Sequence, residues 1–176
     1  MKTEHKVFIG IGLLTLAIIV GGTWISSKSS VTNSARLSNP MMGEKMADEG
    51  AVHVARDKSH VAYKTNPPTS GPHWAGVAGA GIKGGLVPDE LVLHSMEHGA
   101  AVVWYREDLE QGEIDKVKEA FNNSSGKKIM LARKDLDVPV ALTSWGYLLK
   151  LDTVDEIKIK EFIETNNDRA PEKAAI

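Results

Sequence analysis

The chain has 176 residues, 42% hydrophobic and 25% charged, with a formal net charge of −2. That size and mixture fit one globular domain with something attached, not a disordered or collagen-like chain. The 21 basic and 23 acidic residues nearly balance, which excludes a nucleic-acid-coating protein. The absence of cysteine excludes disulfides, iron–sulfur clusters, thiolate zinc sites and a cysteine nucleophile, and leaves chemistry to His, Asp, Glu, Ser, Met or backbone.

Residues 1–6 form a short polar head, and residues 7–25 run for nineteen positions without a charge. As a helix this segment measures about 28 Å, enough to cross a hydrocarbon core of roughly 30 Å. Trp24 stands where an interfacial aromatic belongs. A cleaved signal peptide is the rival reading, but its apolar core is usually shorter and ends in a small-x-small site. Only Val20-Gly21-Gly22 comes close to one, and bulky Trp24 and Ile25 follow, so an uncleaved anchor is preferred. Lys2 and Lys6 precede the span while Lys28, Arg36 and Lys45 follow it, so charge counting leaves the orientation open. A short head followed at once by a span resembles an N-terminal signal-anchor, which places the rest of the chain outside the cytoplasm. The expected location is a single-pass cell-membrane protein, with the membrane and an envelope protein as partners and no nucleic acid. Residues 26–50 are polar and Ser/Asn-rich, and read as a flexible tether. Met41, Met42 and Met46 in that tether offer soft thioethers suited to Cu(I), although a tether also tolerates Met without chemical reason.

Residues 51–166 form the expected domain, with 167–176 a frayed tail. Residues 61–64 predict a short strand. The prolines at 67, 68 and 72 with Gly71 then dictate a rigid loop. The stretch at 79–84 matches G-x-G-x-x-G literally, but neither follows a convincing strand nor opens a helix, so a dinucleotide site is rejected. Residues 100–106 predict a strand buried on both faces, 110–122 a helix, 127–133 a strand, and 140–151 a hairpin broken at Gly146. Thr153 with Glu156 is a capping-box signature for a last helix that turns Val154, Ile157 and Phe162 inward. The order predicts an α+β domain with a small, largely antiparallel sheet, two helices and an irregular, loop-rich front half.

Five of the six histidines (His53, His60, His73, His94 and His98) crowd into the loop-rich half. The sharpest element is His94-Ser95-Met96-Glu97-His98-Gly99. On a helix, both imidazoles share one face with Glu97, in the H-x-x-E-H order of an inverted zincin. On a strand they share a face with Met96, a softer set suited to copper. Pro88-Asp89-Glu90 before and Gly99 after favour one or two helical turns. His73, fixed by its prolines, is the natural third ligand, and His53 can close a four-histidine site. His60 is expected to be exposed. The bland alternative is that these histidines are ordinary core or surface residues.

His53-Val54, the segment at Tyr63, the run 67–73 (PPTSGPH), and 94–99 (HSMEHG) leading into 102–105 (VVWY) resemble the bacterial family catalogued as domain of unknown function 3105, over roughly residues 50–150. The resemblance implies a membrane-anchored or secreted protein with a short extracytoplasmic domain. It marks His53, Tyr63, Pro67, Pro68, Gly71, His73, His94, Glu97, His98 and Gly99, and carries no activity with it. Leu is usual at the place of Met96. The resulting expectation is a transition-metal protein, copper ahead of zinc, with ligands His73, His94, His98 and His53. Glu97, Tyr63 and Met96 support them. A zinc hydrolase with Glu97 as general base and a non-catalytic subunit of a membrane complex are the alternatives.

Overall fold

The computed structural model describes Thr15, Ile18, Ile19 and residues 36–176. The chain divides into two compact units, Met1–Asn39 and Pro40–Ile176. Among the described residues no helix is long and apolar enough to cross a membrane. The span expected over 7–25 lies, apart from Thr15, Ile18 and Ile19, outside those residues.

The second unit is α+β. Its described strands are β1 (Glu44–Lys45), β2 (Gly81–Ile82), β3 (Ala101–Arg106), β4 (Lys128–Arg133), β5 (Val140–Ser144) and β6 (Tyr147–Leu151). The helices are α1 (Asp89–Glu97), α2 (Gln111–Asn122) and α3 (Glu156–Asn166). One six-stranded sheet has the order β1-β6-β5-β3-β4-β2. The β1–β6, β6–β5 and β5–β3 pairs are antiparallel. The β3–β4 and β4–β2 pairs are parallel, so the sheet is mixed, with α2 as the crossover between β3 and β4. β1, within the segment expected as tether, pairs Glu44 with Leu148 along one edge of the sheet.

β3 is apolar and buried from Ala101 to Trp104 because both faces are covered there. Ala101 and Val103 pack with Val117 and Phe121 of α2 and with Ile159, Phe162 and Ile163 of α3. Val102 and Trp104 face the other way, onto Val92, Leu93 and Met96 of α1. That second layer holds α1 against the sheet, and α1 carries the histidine pair.

Three expectations are corrected. The domain has three helices, not two, since α1 extends over nine residues. Val92 and Leu93 are buried on its sheet side. Asp89 and Glu90 in the first turn suit the helix dipole. Residues 61–64 form no strand. The Tyr63 hydroxyl donates to the Pro72 carbonyl, which folds the segment onto the proline loop instead of onto the sheet. The last helix is capped by Asp155, whose carboxylate accepts from the Lys158 amide at 3.0 Å, and not by Thr153. Starting there leaves Ile157 exposed and turns Ile159, Phe162 and Ile163 inward.

Candidate metal centre

α1 ends in a Schellman motif. The Ala100 amide donates to the Ser95 carbonyl and the Gly99 amide to that of Met96. Gly99 has φ +95, a left-handed conformation that favours glycine, and a Cβ there would stand 2.8 Å from the Asp168 Cα. The helix thus ends at Glu97 with His98 as its C-cap, and the chain turns directly into β3. At about 100° per residue, His94, Glu97 and His98 fall on one arc and Met96 nearly opposite.

The proline loop brings the other half. His53 and His73 form a parallel bridge, with the His73 amide donating to Val52 and the Val54 amide to His73. This pairing sets the two imidazoles side by side, their ring centroids 4.9 Å apart. Ring centroids of His94 lie 4.7 Å from His53 and 5.3 Å from His73. One ligand atom from each of His53, His73 and His94 lies within 4.8 Å of the others. His73 is fully buried and His94 nearly so, while the His53 side chain is 44% exposed and leaves the cluster open on that side.

Hydrogen-bond partners settle which nitrogens face the centre. His73 Nδ1 lies 2.8 Å from the Gly71 carbonyl, His94 Nδ1 2.8 Å from that of Trp74, and His98 Nδ1 2.9 Å from that of Ala175. A carbonyl only accepts, so each Nδ1 carries a proton and each ring turns its Nε2 inward. Carbonyl-anchored imidazoles are the usual support of metal-binding histidines. The Nε2 atoms of His94 and His98 are 3.0 Å apart. Glu97, almost fully buried, places Oε2 2.9 Å from His73 Nε2 and 3.3 Å from His53 Nε2. Facing lone pairs at such distances need a cation between them, a proton or a metal. Burial lowers the His94 pKa, the Trp74 bond opposes the shift, and the nearby His98, His73 and His53 reinforce it, so a proton is the poorer filler there. Two nitrogens each about 2.1 Å from one ion stand roughly 3.0–3.4 Å apart, a spacing that the His94–His98 pair matches.

The family described as Protein of unknown function (DUF3105) matches residues 53–176. The chain belongs to this family. No curated protein and no solved structure matches it.

The DUF3105 segment begins at His53 and takes in every residue of the cluster. Among the residues expected from sequence, His53, His73 and His94 make the group that could hold a transition-metal ion. His98 stands beside His94, at the outer side of that group. Tyr63 acts at one remove, since its hydroxyl bonds the carbonyl of Pro72, which precedes His73, at 2.7 Å. Burial, with Glu90, Asp89 and Glu49 nearby, raises its pKa, which keeps that donor proton in place. Met96 is corrected: its thioether accepts from the Thr143 hydroxyl at 3.2 Å in the core beneath α1. The strand reading that made it a ligand fails with the helix. His60 is not a free surface residue, because it bridges the Val61 carbonyl and the Glu90 carboxylate. One residue of the site was missed. Glu172 lies in the expected tail, yet its Oε2 is 3.2 Å from His98 Nε2.

Proposed function

We propose that this protein is a membrane-tethered, extracytoplasmic metal-binding domain that holds a transition-metal ion on His53, His73 and His94. One observation carries the reading. Three imidazoles converge within 4.8 Å, and His73 and His94 are locked by backbone carbonyls with Nε2 inward. The donor set is nitrogen and carboxylate oxygen. It suits Cu(II) and Zn(II), and the usual affinity order puts Cu(II) first. The argument for soft Cu(I) falls with Met96. The tether rests on the uncharged run over 7–25, and the extracytoplasmic placement on the short head before it.

Binding is favoured over hydrolysis by the position of Glu97. A general base must reach a water on the open side of the ion. The Glu97 carboxylate is instead engaged by His73 and His53 within the cluster. The test is elemental mass spectrometry on the purified full chain after exposure to Cu(II) or Zn(II), beside a His73→Ala/His94→Ala variant. The expected result is at least about one tightly held ion per chain, lost in the variant. A parent that remains empty with both metals overturns the reading and leaves the histidines as scaffolding for an interaction surface.

A further inference from the structure

The cluster offers more donors than one ion takes. Four histidines and two carboxylates face it, whereas a four-coordinate site uses four ligands at most. The contacts divide into two sets. His53 and His73 meet at Glu97 Oε2, at 3.3 and 2.9 Å. His98 Nε2 meets His94 Nε2 at 3.0 Å and Glu172 Oε2 at 3.2 Å. Each set is two imidazoles and one carboxylate, a facial combination that leaves positions open on an ion.

The second set is held in place. His98 Nδ1 is fixed on the Ala175 carbonyl, and the Glu172 amide donates to the Glu97 carbonyl at 3.1 Å. Lys127 Nζ binds the His98 carbonyl, the Asp168 carboxylate and the Ala174 carbonyl, at 3.0, 3.0 and 2.7 Å. The Asp168 amide also donates to Gly99 at 2.7 Å. These bonds pin the C-terminal segment across the end of α1 and aim Glu172 at His98. Its side chain, 53% exposed, is free to close the last distance to an ion.

Resting on the metal-binding reading above, we propose that His94, His98 and Glu172 form a second divalent-cation position beside the first, making the centre dinuclear. His94 Nε2 can bind one ion only. When the second position fills, His94 Nε2, already 3.0 Å from His98 Nε2, serves that ion, and the Glu97 carboxylate completes the first ion's ligands with His53 and His73. Paired ions in such centres stand about 3.5–4 Å apart.

The experiment saturates the purified full chain with Zn(II), removes free metal by gel filtration, and counts zinc per chain for the parent, Glu172→Ala and Lys127→Ala. Circular dichroism confirms the fold of each. The parent should hold about two equivalents and Glu172→Ala about one. Lys127→Ala, which frees the segment but keeps every donor, should weaken the second equivalent several-fold and leave the first. A parent at one equivalent with Glu172→Ala indistinguishable overturns the second position and leaves the first intact. Loss of all zinc in Glu172→Ala also overturns it, since Glu172 would then belong to a single centre. A parent without zinc or copper removes the underlying reading as well.

Discussion

At the scale of single residues, the decisive feature is not that histidines lie close together but that three of them have their tautomer fixed. Gly71, Trp74 and Ala175 each contribute a carbonyl to an Nδ1, and none is chemically remarkable in the sequence. The candidate ligands were therefore legible as residue types, while their anchors were not, because a backbone carbonyl has no signature. Met96 was misread for the opposite reason. Its place between two histidines is suggestive in a linear motif, and only the helical turn sends its sulfur to Thr143. Met96→Leu should therefore leave metal content unchanged and cost less than about 1.5 kcal/mol in denaturant unfolding. A loss of metal in that variant would restore the sulfur as a ligand. Glu97→Gln removes the charged acceptor shared by His53 and His73. In the metal-free protein it should cost about 1–3 kcal/mol, read by the same unfolding experiment, because His73 is buried.

At the scale of elements, two joints hold the site together. The first is the end of α1. Gly99→Ala places a Cβ against the Asp168 backbone at a positive φ, so destabilisation of at least about 1 kcal/mol is expected from chemical denaturation. Metal affinity should fall with it, because His98 loses its register with the C-terminal segment. The second joint ties the loop around residue 60 to the start of α1 through His60 and Glu90, 3.1 Å apart. The His60 pKa is raised by its Val61 carbonyl bond and by Glu90. A raised histidine pKa adds stability that is full below the unfolded value of about 6.5 and disappears as pH rises through the folded one. The gap in melting temperature between the parent and His60→Ala should therefore be widest at mildly acidic pH and narrow toward pH 8. A gap independent of pH would show that His60 acts by packing alone. The regular elements after residue 100 were legible because their apolar periodicity is strong and a single core dictates it. The cap of α3 was misplaced by two residues, since Thr153 and Asp155 are both good caps and only packing of Ile159 and Ile163 decides between them.

At the scale of the whole molecule, the sheet is a platform with unequal faces. α2 and α3 cover one with an ordinary core, and α1 with the proline loop covers the other and carries the histidines. The front half was legible as irregular and as the stretch where the histidines gather. Its path was not, because the bonds that shape it join residues far apart, such as the Gly146 amide to the Thr69 carbonyl and the His73 amide to Val52. The C-terminal segment illustrates the same point. By composition it is a tail, yet the bonds from Lys127 and His98 make it one wall of the site. The central claim is that His53, His73 and His94 share an ion. Crystals of the protein grown with about one equivalent of Cu(II) or Zn(II) per chain, so that only the first position fills, and measured at the metal absorption edge test it directly. The account predicts an anomalous peak about 2.0–2.1 Å from the inward nitrogens of those three residues. A fully occupied crystal with peaks only elsewhere, or with none, would contradict it.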